Sequence, residues 1–105
     1  MWFIETPVFS DHLYELLSDD EYRGLQLALA LRPEQGHLIP GGGGLRKLRW
    51  RLRGKGKSGG LRIIYYWDPT EGAVYLLFLY PKSRQEDLTA SQLRLLRRIV
   101  QEELK

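Results

Sequence analysis

The sequence predicts an α+β fold, and the positions of two periodicities along the chain predict it. Helical spacing of apolar residues governs the chain up to Pro33. Strand spacing takes over from Leu45 to Tyr80, and helical spacing returns after Thr89. Helices and strands segregated in blocks pack as helices on an antiparallel sheet, whereas one-by-one alternation would build a parallel one. A chain of 105 residues suits a single domain, 1–105, with one modest core.

The elements follow in order. Trp2 to Glu5 is short and aromatic, as expected of a first strand. Thr6-Pro7 supplies a hydroxyl N-cap and a proline at the first helical position, and Phe9, Leu13, Leu16 and Leu17 continue at helical spacing. Ser18-Asp-Asp-Glu21 is a capping box flanked by Leu17 and Tyr22, which are placed as a hydrophobic staple. The second helix carries Tyr22, Leu25 and Leu29 on one face and should end near Arg32-Pro33. Together the two form a helical hairpin.

Beyond the flexible Gly41–Gly44 loop, Leu48, Trp50 and Leu52 alternate with Lys47, Arg49 and Arg51, so a strand over Leu45 to Leu52 should present three cations on its outer face. Arg53 to Gly60 is a glycine-rich turn, Leu61 to Trp67 is a second strand of this group, and Asp68-Pro-Thr-Glu-Gly72 is another turn. Ala73 to Tyr80 is almost wholly apolar, the pattern of a strand buried on both faces. Two consecutive hairpins imply a meander. Thr89-Ala-Ser-Gln92 is a further capping box, opening a helix with Leu93, Leu96, Val100 and Leu104 inward and Arg94, Arg97 and Arg98 outward. The expected order is β-α-α-β-β-β-α: a small, mainly antiparallel sheet with an N-terminal helical hairpin and a C-terminal helix.

Composition narrows the function classes. With no cysteine, disulfides and thiolate metal sites are excluded. No apolar run approaches the roughly 18–20 residues of a membrane span, and the first residues lack the basic and apolar regions of a signal peptide. A cytoplasmic location away from membranes is the expectation. Net charge is only +3, but its distribution is uneven. No acidic residue lies between Glu34 and Asp68, and eight of the 16 basic residues fall between Arg46 and Arg62. Such a field attracts polyanions, because neutralised phosphates release their counterions.

Two apparent motifs fail on context. Gly54-Lys-Gly-Lys-Ser-Gly59 fits G-x-G-x-x-G but leads into a strand, where a dinucleotide site needs a helix. Gly56-Lys-Ser58 resembles a Walker A ending, yet Arg51 stands where its first glycine belongs. His12 and His37 are the only histidines and lie outside the basic segment, so neither a protein-ligated zinc site nor a Ser–His–Asp hydrolase can be assembled. No metal and no cofactor are expected. Cations must then do most of any chemistry. Arginines can hold a phosphate bidentately and favour the extra charge of the transition state of RNA cleavage by a 2′-hydroxyl. A lysine ringed by cations has a lowered pKa and can act as a base. Lys55 and Lys57 are the candidates for that role, or for simply gripping backbone phosphates.

The runs Gly43-Gly-Leu-Arg-Lys-Leu-Arg49, Gly54-Lys-Gly-Lys-Ser-Gly-Gly-Leu-Arg-Ile-Ile-Tyr-Tyr66 and Tyr75-Leu-Leu-Phe-Leu-Tyr-Pro-Lys82 closely resemble HigB-type toxins of the RelE/ParE toxin–antitoxin superfamily. The Phe9–Leu31 pattern and Asp87-Leu-Thr-Ala also fit. The resemblance implies a sheet flanked by helices with a basic active surface on its concave face. It further implies a metal-independent endoribonuclease that cuts mRNA in the ribosomal A site and so inhibits translation. Carried over by position, it makes Arg62 the ligand of the scissile phosphate, with Lys55, Lys57 and Lys82 as the other catalytic residues. Arg46, Lys47, Arg49, Arg51, Arg53 and Arg84 would bind RNA around them. The pattern departs at Leu88, where RelE carries a tyrosine, so that residue's acid–base role does not transfer. Implied partners are the 70S ribosome with its mRNA and a HigA-like, helix-turn-helix antitoxin, with operator DNA reached only through the antitoxin. The alternative on the same scaffold is a ParE-like gyrase-inhibiting toxin without RNA cleavage.

Overall fold

The computed structural model describes residues 1–52 and 60–105. Residues 53–59, where a glycine-rich turn is expected and which include Arg53, Lys55 and Lys57, lie outside the described residues. The elements are β1 (Trp2–Glu5), α1 (Pro7–Leu16), α2 (Asp19–Leu31), β2 (His37–Leu38), β3 (Arg46–Trp50), β4 (Leu61–Asp68), β5 (Ala73–Pro81) and α3 (Ala90–Ile99), which continues into a π-helical turn at Val100–Leu104. No helix among the described residues is long and apolar enough to cross a membrane.

The sheet has the order β1-β5-β4-β3-β2. The meander β3-β4-β5 is antiparallel as expected, while β1 returns to pair parallel with β5, Trp2 opposite Ala73 and Glu5 opposite Leu76. β1 covers only the first half of the β5 edge. Thr6 closes the gap: its N–H donates to Leu76 O at 3.0 Å and its hydroxyl to Leu77 O at 2.7 Å. The same hydroxyl accepts from Phe9 N, capping α1, which then packs along β5. One threonine therefore starts a helix and seals a sheet edge that would otherwise offer free backbone groups.

Both faces of the sheet are covered. Phe9, Leu13, Leu17, Leu25 and Leu29 from α1, α2 and their junction pack on Leu48, Leu61, Ile63, Tyr65, Val74, Leu76 and Leu79. The opposite face gathers Leu45, Ile64, Leu77 and Tyr80 beneath Leu96 and Val100. A bulge in the β4–β5 pairing at Ile64/Tyr65 shifts the register so that Ile64 faces Phe78 and Tyr65 faces Leu76. Leu77 is the extra residue, and it joins the α3 side.

Three expectations need correction. The two-residue β2 did not announce itself, being too short to show an alternation. β3 stops at Trp50, so Arg51 and Leu52 lie beyond the strand. The side that carries Lys47 and Arg49 is not wholly an outer face either: α3 packs on it, Lys47 is half-buried and Arg49 is exposed.

Candidate functional site

Pairing of the meander sets three polar side chains in one row. Arg49 of β3 lies opposite Arg62 of β4, and Arg62 lies opposite Tyr80 of β5. The next row holds Lys47 opposite Ile64, with Ile64 opposite Phe78. Directly opposed residues share a sheet face, with their Cβ atoms about 4.5–5.5 Å apart. Two arginines face each other across β3 and β4, an arrangement that is unfavourable without an anion between them.

Arg62 is the buried charged residue of the described chain, only 6% exposed. Among the described residues its guanidinium has no carboxylate partner. Its one hydrogen bond among them is a long one, 3.4 Å from Nη1 to its own neighbour's carbonyl, Leu61 O. Gly60 lies close beside it: a Cβ built there would sit 3.6 Å from Arg62 Nη1. Gly60 O also accepts from Lys82 N at 2.9 Å, which ties the start of β4 to the end of β5. A guanidinium removed from water without its counter-charge is costly unless something else supplies the negative charge.

Lys47 does have a partner. Its ammonium donates to Asp87 Oδ1 at 2.6 Å, and this bond, with the lysine's charge, holds the Asp87 carboxyl below its ordinary value; Arg62 and Arg49 lower it further. The pair lies in a cleft of about 420 Å³ lined by His37, Leu38, Ile39, Pro40, Arg49, Leu88 and Leu93 besides the pair itself. Asp87 is thus the anion that the cationic face already holds, at its rim.

Tyr80 sits within this field. It is 2% exposed, and its hydroxyl finds no hydrogen-bond partner among the described residues. Burial pushes its pKa up, the charge of Asp87 adds to that, and Arg62 opposes it.

The structure brings Arg62, Lys47 and Arg49 to one face and leaves Lys82 and Arg84 exposed just past β5. Arg46 is not brought to this face. Its guanidinium donates to Gly36 O at 2.8 Å and Glu34 O at 3.0 Å, fixing the chain before β2. Arg51 is exposed beyond β3, and Arg53, Lys55 and Lys57 fall outside the described residues.

Comparison with known families adds a decisive observation. Residues 24–105 match the family model described as the RelE toxin of the RelE/RelB toxin–antitoxin system. The chain belongs to the RelE toxin family. Among solved structures, the crystal structure of the intact E. coli RelBE toxin–antitoxin complex is similar, with a TM-score of 0.56 and 12% identity over 76% of this chain and 94% of that one. At that identity the likeness is one of fold. The family match begins inside α2, so β1 and α1 lie outside it and every cation considered above lies within.

Measured against this RelE-type scaffold, sequence reasoning found the cations and missed what surrounds them. Tyr80 ended an apolar run and read as core. Asp87 was noticed only within a family pattern. His37, read as following a helix-ending turn, lines the cleft. Tyr65 was also missed: its hydroxyl donates to Pro33 O at 2.7 Å and accepts from Gly36 N at 2.9 Å, joining β4 to the segment before β2. Contacts made across 29 or more residues leave no local pattern to find.

Proposed function

We propose that this RelE-family chain is a HigB-type, ribosome-dependent mRNA endonuclease that works without a metal. The observation that carries the proposal is Arg62: a buried guanidinium on a cationic sheet face, with no carboxylate partner among the described residues. A phosphodiester supplies the missing charge and the bidentate geometry that a guanidinium prefers. In the reaction, the 2′-oxygen forms a bond to phosphorus and the bond from phosphorus to the 5′-oxygen breaks. The 2′-proton passes to a base, and another proton is delivered to the departing 5′-oxygen. The products are a cyclic phosphate and a free 5′-hydroxyl. Arg62 stabilises the crowded phosphate, where an aimed cation in a dry site acts most strongly. Lys55, Lys57 and Lys82 are assigned to proton transfer and charge stabilisation. Lys47, Arg49, Arg51, Arg53 and Arg84 hold the flanking backbone.

The partners of this function are the 70S ribosome with its mRNA and a HigA-like antitoxin that blocks the Lys55–Arg62 surface. Primer extension on a defined mRNA, with purified chain and with or without 70S ribosomes, tests the proposal. Cuts only in the presence of ribosomes are expected. Cuts on naked RNA would indicate a free-standing ribonuclease. A chain that arrests growth, cuts neither template and inhibits DNA gyrase supercoiling would be ParE-like instead.

A further inference from the structure

Tyr80 presents a problem in elementary energetics. A buried hydroxyl without a partner costs roughly 1–3 kcal/mol relative to one that is satisfied, and such groups are rare in folded proteins. Phenylalanine would fill the same space without that cost. The ring is well placed as packing, against Phe78 at 5.7 Å between centroids and within the core beneath α3. The hydroxyl is what needs an explanation.

Its position in the sheet supplies one. Tyr80 lies directly opposite Arg62, so the two side chains share a face. Both are more than nine-tenths buried. One is a hydroxyl without a partner and the other a cation without a counter-charge, among the described residues. A single anion between them would satisfy both.

We propose that Tyr80 and Arg62 form a two-donor phosphate site, in which the Tyr80 hydroxyl donates to a non-bridging oxygen of the phosphate that Arg62 holds. The inference rests on the endonuclease function above for the identity of that phosphate, although the anion site itself does not require it. Tyr80 is a donor and not a base: burial and the nearby Asp87 charge keep its proton on at neutral pH. In a site closed to water, a neutral donor aimed at developing charge acts as an oxyanion-hole group does.

Tyr80→Phe tests this with two readouts. The first is titration of the free chain with inorganic phosphate, followed through the NMR signal of the labelled Tyr80 ring. A saturable shift that disappears in Arg62→Ala is expected, as is weaker phosphate binding by Tyr80→Phe when the titration is followed through the labelled Arg62 guanidinium. The second is single-turnover cleavage on ribosomes carrying a defined mRNA. Tyr80→Phe should cut about a hundredfold more slowly, with unchanged ribosome affinity, an unchanged shape of the pH–rate profile and a Tm no lower than the parent chain's. Loss of one limb of that profile would make Tyr80 an acid or base and overturn the donor role. A full-rate variant, or a Tyr80 signal that ignores phosphate, would reduce the residue to packing. If the parent chain cuts nothing, the endonuclease function fails, and the phosphate titration still decides the site.

Discussion

At the scale of single residues, the chemistry of the cationic face is set by which charges are paired. Lys47 is neutralised by Asp87, while Arg49 and Arg62 form no salt bridge among the described residues and act on Asp87 only at longer range. Asp87 is therefore a small stabiliser and, under the proposed function, a competitor of RNA for the same cations. A carboxyl depressed in the folded state contributes stability above its unfolded pKa, near 3.9, and loses it as pH falls through the folded value. Asp87→Asn should accordingly flatten the acid limb of a Tm-versus-pH curve below about pH 4. It should change Tm little at neutral pH, because the carboxylate is solvent-exposed. The same variant frees Lys47, so it should bind a short single-stranded RNA more tightly and with a steeper dependence on salt, since one more cation is available to phosphate. A salt slope identical to the parent's would mean that Lys47 does not face the RNA.

At the scale of elements, what was legible in the sequence is what is encoded locally. The capping boxes at Ser18–Glu21 and Thr89–Gln92 form as read, because each needs only four residues and two short hydrogen bonds. The proline-started α1, the stop of α2 at Leu31 and the β3-β4-β5 meander were legible for the same reason. The parallel return of β1 and the existence of β2 were not, since both depend on partners far along the chain. Arg62 lies between these cases. It was legible as one of the eight basic residues from Arg46 to Arg62 and through the family resemblance, but its burial depends on what β3 and β5 place beside it.

Two substitutions probe this level. Thr89→Ala removes the α3 N-cap and should cost about 1 kcal/mol in chemical denaturation. Gly36→Ala should cost more, about 1–3 kcal/mol by overpacking, because its Cβ would lie 2.7 Å from Tyr65 Cε1 and force the ring off both of its backbone partners. If Gly36→Ala is as stable as the parent, the Tyr65 bridge does not hold β2 in place.

At the scale of the whole molecule, the sheet carries two unequal faces. One is filled by α1 and α2. The other is packed by α3 and carries the row Arg49, Arg62 and Tyr80, in which Arg49 is exposed while Arg62 and Tyr80 are buried. Under the proposed function, the antitoxin covers that cationic face. Hydrogen exchange on the complex with its antitoxin should show added protection at the ends of β3 and β4. Protection confined to the α1–α2 side would point to a remote block. The account as a whole depends on Arg62 acting on phosphate and not on the fold. The most direct measurement is single-turnover mRNA cleavage on programmed ribosomes by Arg62→Ala, beside Arg98→Ala on the exposed side of α3, with Tm recorded for each. The account predicts a loss of about a hundredfold or more for Arg62→Ala, little change for Arg98→Ala, and folded protein in both cases. Equal rates for the two variants, or a loss in Arg62→Ala that follows its unfolding, would contradict it.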